Sequence, residues 1–283
     1  MDIKNITFVI TTYKSEDTIY NCLNSLPKEV NKIILENSNS NELKIDLEKK
    51  YENLECYLMS KNLGYGKANN IGIHKSKTDY VFILNPDAKL LKDTVDDLFK
   101  ALSNEDFSIA APLDTKEKNK FVFNDKGIIE VDFVKGFAMI LNKRKMKNQL
   151  FDEKIFLYLE EIDLCKRVKN NDGRIIIVNT LVEHLGGLSH GNLGGLSHGN
   201  REDFELEKSR NWHWMWSKFY YKKKHYGYFF GLLSTCQNFF TAFIKYYFYL
   251  LTKNKYKKTI YKMRLLGLLA SYMLKDSNYR PYT

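Results

Sequence analysis

Residues 6–26, ITFVITTYKSEDTIYNCLNSL, decide how the rest of the chain is read. The first eight are an apolar, β-branched run that suits a buried pleated strand. Ser15 and Glu16 then open a segment whose Ile19, Cys22, Leu23 and Leu26 recur at helical spacing. A strand that gives way so quickly to an amphipathic helix is the start of a β-α unit.

The same alternation repeats outward from this stretch. NKIILEN (31–37) reads as a strand, NELKIDLEKKYE (41–52) as an amphipathic helix and LECYLMS (54–60) as a strand. GKANNIGIHKS (66–76) is a helix entered through a glycine loop, and DYVFILN (79–85) is a further strand. Repeated units of this kind predict a parallel sheet covered by helices, with a ligand crevice beyond the carboxyl ends of the strands. TTYK (11–14), ENSNS (36–40), KNLGYG (61–66) and NPDA (85–88) would then share one rim. These loops are small, polar and glycine-containing, as a phosphate or sugar site requires, so a nucleotide-binding crevice is expected. Asp87 stands out because an apolar strand runs straight into it. A carboxylate there is costly unless water, a cation or a partner receives it.

From about residue 121, FVFNDKGIIEVDFVKGFAMIL predicts strands of a mixed sheet. EEIDLCKRVKNNDG (160–173) predicts a helix stopped at Gly173, and RIIIVN (174–179) another strand. The octapeptide LGGLSHGN at 185–192 is copied unchanged at 193–200, which reads as a duplication in a tolerant loop; no metal site is built from His190 and His198.

Charge divides the chain. Residues 1–207 hold 29 basic and 33 acidic side chains, whereas 208–283 hold 15 basic residues and only Asp276. The same tail carries 22 of the 40 aromatics, including Trp212, Trp214 and Trp216. Two domains are expected, an α/β domain over 1–207 and a basic, aromatic helical segment over 208–283. Four dispersed cysteines without a Cys-x-x-Cys pair exclude a zinc ribbon and a disulfide framework and predict a reducing compartment. The first residues lack the layout of a signal peptide, so a cytoplasmic location is expected.

The chain resembles the family 2 glycosyltransferases of the GT-A fold, in particular the bacterial rhamnosyltransferase-like subgroup. The resemblance runs from about residue 5 to 225 and rests on VITTYKSEDTIYNCLNSL, LENSNS, NLGYGKANNIGI, YVFILNPDAKL, FDEKIFLYLEEIDLCKRV and VEHLGG, in the family's order. It implies a Rossmann-like mixed sheet flanked by helices, and a transfer of one sugar from a nucleotide sugar. The family's metal-binding Asp-x-Asp has Asn85 in its first place here, leaving Asp87 as the carboxylate. His184 matches a histidine that can complete the shell of a divalent cation, Mn2+ suiting an imidazole better than Mg2+; a structural histidine is the equal alternative. Glu161 matches the base that takes the acceptor's proton, with Glu160 orienting substrate and Asp163 holding the helix start; a base there implies inversion. Thr11, Tyr13, Glu36, Asn62, Gly64 and Asn69 match donor-binding positions, a plain tight turn being the alternative for Gly64 and Gly66. The Gln-x-x-Arg-Trp box of processive relatives is lacking, which favours single additions. A dTDP-rhamnose or UDP-hexose donor and surface-polysaccharide synthesis are implied.

Tyr226 to Ile244 form 19 residues without a charge, interrupted by Ser234, Thr235, Gln237, Asn238 and Thr241. An interfacial helix fits better than a span: Trp and Tyr favour headgroups, and Lys222–Lys224, Lys253, Lys255, Lys257 and Lys258 attract anionic lipid. A polyprenyl-diphosphate-linked saccharide acceptor would keep the enzyme at the inner leaflet. The competing readings are a helical bundle packed on the catalytic domain or a second subunit, a nucleic-acid grip, and a non-catalytic nucleotide-sugar binder. Nucleic acid is disfavoured by the long apolar stretch.

Overall fold

The computed structural model describes residues 2–185 and 201–280. The duplicated octapeptide beyond Leu185, with His190 and His198, lies outside the described residues. The chain divides into two compact units: one runs to Asp152 and resumes at Glu160, and the other joins Glu153–Leu159 to the helices at the carboxyl end.

In the first unit the β-α alternation gives β1 (Ile6–Thr12), α1 (Glu16–Asn24), β2 (Asn31–Glu36), α2 (Asn41–Lys50), β3 (Leu54–Leu58), α3 (Tyr65–Lys75) and β4 (Tyr80–Leu84). There follow β5 (Ala88–Leu90), α4 (Thr94–Leu102), β6 (Ile109–Asp114), β7 (Ile128–Glu130), β8 (Ala138–Asn142), α5 (Glu160–Lys169) and β9 (Ile175–His184). The strands form one sheet in the order β3-β2-β1-β4-β8-β6-β9-β5, with β7 also on β9. β3, β2, β1 and β4 are mutually parallel, and β8 reverses the direction against both β4 and β6.

β1 shows why the parallel half holds. Ile6, Phe8 and Ile10 enter one core with Ile19, Cys22 and Leu23 of α1, while Val9 enters a second core on the opposite face with Ala68 and Ile73 of α3. A strand covered on both faces must be apolar almost throughout, as this one is. Registers Thr12↔Glu36 and Glu36↔Leu58 bring the strand ends to a common edge.

The sequence reading differs from the structure at three places. The run after Leu84 does not stay a loop: Ala88–Leu90 returns to the sheet as β5. The strand expected over 174–179 extends to His184. The stretch 121–141 yields only the short β7 and β8, because Asn124 turns the chain by accepting from the Lys126 and Ile128 amides and Gly127 takes a left-handed φ of +71°.

The second unit contains α6 (Arg201–Tyr226), α7 (Tyr228–Leu251) and α8 (Lys255–Tyr272). Gly227, at φ +90°, breaks α6 from α7, a conformation that costs glycine little. Trp212 and Trp216 are core residues here, packed with Met263, and not surface anchors. The exposed apolar side chains belong instead to α7: Phe229 is 84% exposed, Leu233 77% and Leu251 81%, with Phe240, Ile244 and Phe248 also open. Among the described residues, no helix is long and apolar enough to cross a membrane.

One glycine tests the packing of the first unit. A Cβ on Gly72 would stand 2.4 Å from Val9 Cγ1 and 2.8 Å from Leu35 Cδ2, so α3 can lie this close to β1 and β2 only without one. Overpacking of this kind costs about 1–3 kcal/mol. Gly72→Ala is expected to lower the denaturant midpoint accordingly; an unchanged midpoint would show that the helix is not held this closely.

Candidate active site

Polar side chains tie three of the four loops expected at one rim, those after β1, β2 and β3. At the end of β1, Thr11 Oγ1 donates to Asn69 Oδ1 on α3 (3.0 Å). Asn69 is fully buried and its Nδ2 has no hydrogen-bond partner. Asn37, after β2, reaches the loop after β3: its Nδ2 donates to Gly64 O (3.5 Å) and its Oδ1 accepts from Leu63 N (3.4 Å). Asn62 Oδ1 accepts from Gly64 N (2.9 Å), and Gly64 takes φ +81° to enter α3. Gly66 is pressed near Phe151, whose Cβ would lie 3.0 Å from a Cβ added at Gly66.

Glu36 is fully buried, and its carboxylate is used locally. One oxygen accepts from Ser38 N (2.9 Å) and Ser38 Oγ (2.5 Å), the other from Ser40 N (2.6 Å). It therefore shapes the loop after β2 from within. Tyr13 sits half-buried in the loop after β1, where its amide donates to Ser15 Oγ (3.2 Å).

Asp87 and His184 come together through strand register. β5 runs antiparallel to β9 with Ala88 opposite His184, and Leu185 N donates to Asp87 O (3.1 Å). His184 Nε2 lies 3.3 Å from Asp87 Oδ1, yet it makes no hydrogen bond although it is buried. The ring is fixed by stacking on Phe137 at 4.4 Å and 11°. A carboxylate oxygen and an unpartnered imidazole nitrogen facing one another are two ligands of the kind a divalent cation accepts. Among the described residues, no third His, Cys, Asp or Glu joins them, so the remaining ligands would have to come from substrate and water.

The acidic pair lies at the start of α5. Glu160 is 5% exposed and its Oε2 has no partner; burial, then the neighbouring Glu161, raises its pKa well above the usual carboxylate range. Glu161 is half-buried, and burial pushes it up to about 7, against the pull of backbone amides at the helix start. Two adjacent carboxyls raised by burial resist carrying two charges at once. Asp163 is placed differently: it is fully buried and paired with Arg167 (2.8 Å), whose other arm donates to Leu150 O (2.6 Å).

Tyr65 stands among these groups and was not singled out from the sequence. Its hydroxyl donates to Gly136 O (2.5 Å), and burial, then Glu160 and Glu161, with a smaller part from Asp87, raises its pKa. A Cβ on Gly136 would lie 3.4 Å from Glu161 Cβ and 3.5 Å from the Tyr65 oxygen, so the glycine keeps this corner open. The available signal was spacing: Tyr65 lies one helical turn before Asn69.

Comparison with known proteins bears on the family and the fold. The family model described as glycosyl transferase family 2 matches residues 7–163. A hexosyltransferase of low-salt glycan biosynthesis from Haloferax volcanii is 23% identical over 208 residues, covering 63% of this chain and 67% of its own. Among solved structures, the mannosyltransferase PcManGT from Pyrobaculum calidifontis, in complex with GDP-Man and Mn2+, superposes with a TM-score of 0.54 at 11% identity, covering 94% of this chain and 86% of that one. GalNAc-T7 with UDP, GalNAc and Mn2+ gives 0.55 at 11% identity over 79% of this chain, which spans only 52% of that protein. The fold is GT-A, and the chain belongs to glycosyl transferase family 2.

Proposed function

We propose that this glycosyltransferase moves one sugar, with inversion, from a nucleoside-diphosphate donor to a lipid-linked saccharide in surface-polysaccharide synthesis. The observation that carries the reading is the pairing, at the rim where β1, β2, β3 and β4 end, of Asp87 with a partnerless His184 nitrogen, together with an acidic pair whose pKa values burial raises. Asp87 and His184 would hold a divalent cation, Mn2+ for preference. When bound, it neutralises charge gathering on the departing diphosphate. The relatives solved with a nucleotide and Mn2+ support this reading.

The chain's own groups account for the rest of the step. The acceptor hydroxyl oxygen bonds to the anomeric carbon as the bond from that carbon to the diphosphate oxygen breaks. The hydroxyl proton passes to Glu161, a base matched to neutral pH. Glu160, held protonated by burial, offers an O–H to orient the acceptor. Thr11, Asn37, Asn62 and Gly64 keep the loops in place for the nucleotide, with Tyr13 and Glu36 beside them, and Asn69 holds Thr11 from α3. The donor is dTDP-rhamnose or a UDP-hexose.

The exposed aromatic face of α7, near Lys245, Lys253, Lys255, Lys257 and Lys258, supports docking on the inner, anionic leaflet, where a polyprenyl-diphosphate acceptor resides.

A donor panel with Mn2+, read as release of nucleoside diphosphate, should identify one active donor, and Asp87→Ala should abolish release. Release that survives the substitution would remove Asp87 from the metal site. The rate should rise with pH through about 7 and level off above it, since Glu161 must lose its proton to act. Glu161→Gln should remove this limb and about 10²–10⁴ of the rate; a variant with wild-type turnover would reassign the base. Co-sedimentation should show binding to phosphatidylglycerol vesicles and little to phosphatidylcholine. Phe229→Glu with Leu233→Glu should abolish it, and equal binding by the variant would move the membrane face elsewhere.

A further inference from the structure

The three helices of the second unit share a group of cations that its acids leave unpaired. Lys218 of α6 is half-buried; its Nζ donates to Asn238 Oδ1 of α7 (3.4 Å) and lies 5.3 Å from the centre of the Trp214 ring. Arg264 of α8 is half-buried too, and its Nε donates to Asn211 Oδ1 of α6 (2.7 Å). Its guanidinium carbon stands 5.1 Å from the centre of the Tyr261 ring, which Lys245 Nζ of α7 also approaches, at 5.3 Å.

These cations act on one another. Burial, then Arg264, then Lys222, holds the Lys218 ammonium below its ordinary range, and burial does the same to Arg264 against the pull of Tyr261 and Glu207. Glu207 is already engaged, since it is buried and accepts from the Tyr256 hydroxyl. Among the described residues, neither Lys218 nor Arg264 makes an ion pair. Like charges drawn together out of water are costly unless a counter-charge joins them. Neutral groups do not make up the deficit: the buried Lys32 of the first unit is received by three carbonyls, whereas Lys218 has one amide oxygen at the long end of hydrogen-bond range.

The same stretch of α7 is open and apolar. Phe240, Phe243 and Ile244 are 56%, 43% and 64% exposed, and they fall between Asn238 and Lys245 in the chain.

We propose that Lys218 and Arg264, flanked by Lys222 and Lys245, form an anion site for the diphosphate of a prenyl-linked ligand whose chain lies along the exposed apolar side chains of α7. A diphosphate presents several charged oxygens, enough for an ammonium and a guanidinium at once. The choice of a prenyl chain rests on the lipid-linked acceptor proposed above; the anion site rests on the helical unit alone.

Binding to the full-length protein is read by tryptophan fluorescence, because Trp214 carries the Lys218 ammonium, and in EDTA, so that no cation at Asp87 contributes. Farnesyl diphosphate should bind, with inorganic pyrophosphate and farnesol each weaker by about tenfold or more. Lys218→Met, which keeps an apolar stem on Trp214, and Arg264→Gln should each weaken farnesyl diphosphate about tenfold, and Asp87→Ala should bind as wild type. Neither variant should unfold at a lower temperature, since each loses a charge that has no partner; should Arg264→Gln do so, Lys218→Met decides alone. Wild-type affinity in Lys218→Met, or farnesol bound as tightly as farnesyl diphosphate, would overturn the site. Weakened binding of the variants to phosphatidylglycerol vesicles, with no farnesyl diphosphate bound by the wild type, would overturn it in favour of bulk lipid headgroups. Release of nucleoside diphosphate from a donor by a protein that binds no farnesyl diphosphate would reject this site and leave the transferase reading intact.

Discussion

Three residue pairs hold β5 to β9, and the meeting of Asp87 with His184 depends on them. They bring a carboxylate from the end of β4 beside a histidine almost a hundred residues later in the chain. Backbone hydrogen bonding, not attraction between the side chains, sets this meeting: Ala88 lies opposite His184, and Asp87 is the residue before it. A slip of one residue would turn every side chain of β5 to the other face. The register is protected because Ala88, Leu90 and Val182 are all buried in one core. Asp87 thus owes its position to apolar neighbours.

Much of the fold could be read from β1 and α1 outward, because both faces of a parallel sheet demand long apolar runs and helices of regular spacing. The rim followed from strand polarity alone, and so did the grouping of TTYK, ENSNS, KNLGYG and NPDA. What escaped the sequence reading was short or non-local. β5 is three residues long and owes its existence to β9, so no periodicity marks it. The extension of the last strand to His184 is visible only with its partners in place. Tyr65 was hidden because an aromatic beside two glycines suits a turn as well as a site. The tail was legible as helical, but which aromatics face inward was not: Trp212 and Trp216 fill a core that α8 closes, and Gly267 permits the approach, since a Cβ there would stand 2.2 Å from Trp212 O.

Among the described residues, Asn69 Nδ2, Glu160 Oε2 and His184 Nε2 are buried polar atoms of the first unit without partners. Each costs about 1–3 kcal/mol when left unsatisfied. Elsewhere the same chain satisfies demanding groups. The buried Lys32 ammonium is received by the carbonyls of Lys28, Val30 and Glu52, and Asn70 makes a paired hydrogen bond with the Phe151 backbone. The contrast between the two sets of groups is local. Lys32 and Asn70 are saturated by backbone, whereas Asn69, Glu160 and His184 each keep an atom uncommitted, as do Gln149 Oε1 and Thr180 Oγ1.

That distinction also separates the acidic residues of α5. Asp163 is fully buried and neutralised by Arg167, so its charge is absorbed by the fold. Glu160 and Glu161, one turn nearer the rim, have no basic partner among the described residues. Burial without a counter-charge is what drives a carboxyl upward. Had an arginine stood beside Glu161 as it does beside Asp163, the carboxylate would be stabilised and too weak a base at neutral pH. The same helix therefore uses one acid to anchor itself and keeps two others unneutralised, and the difference lies in a single cation placed one turn further on.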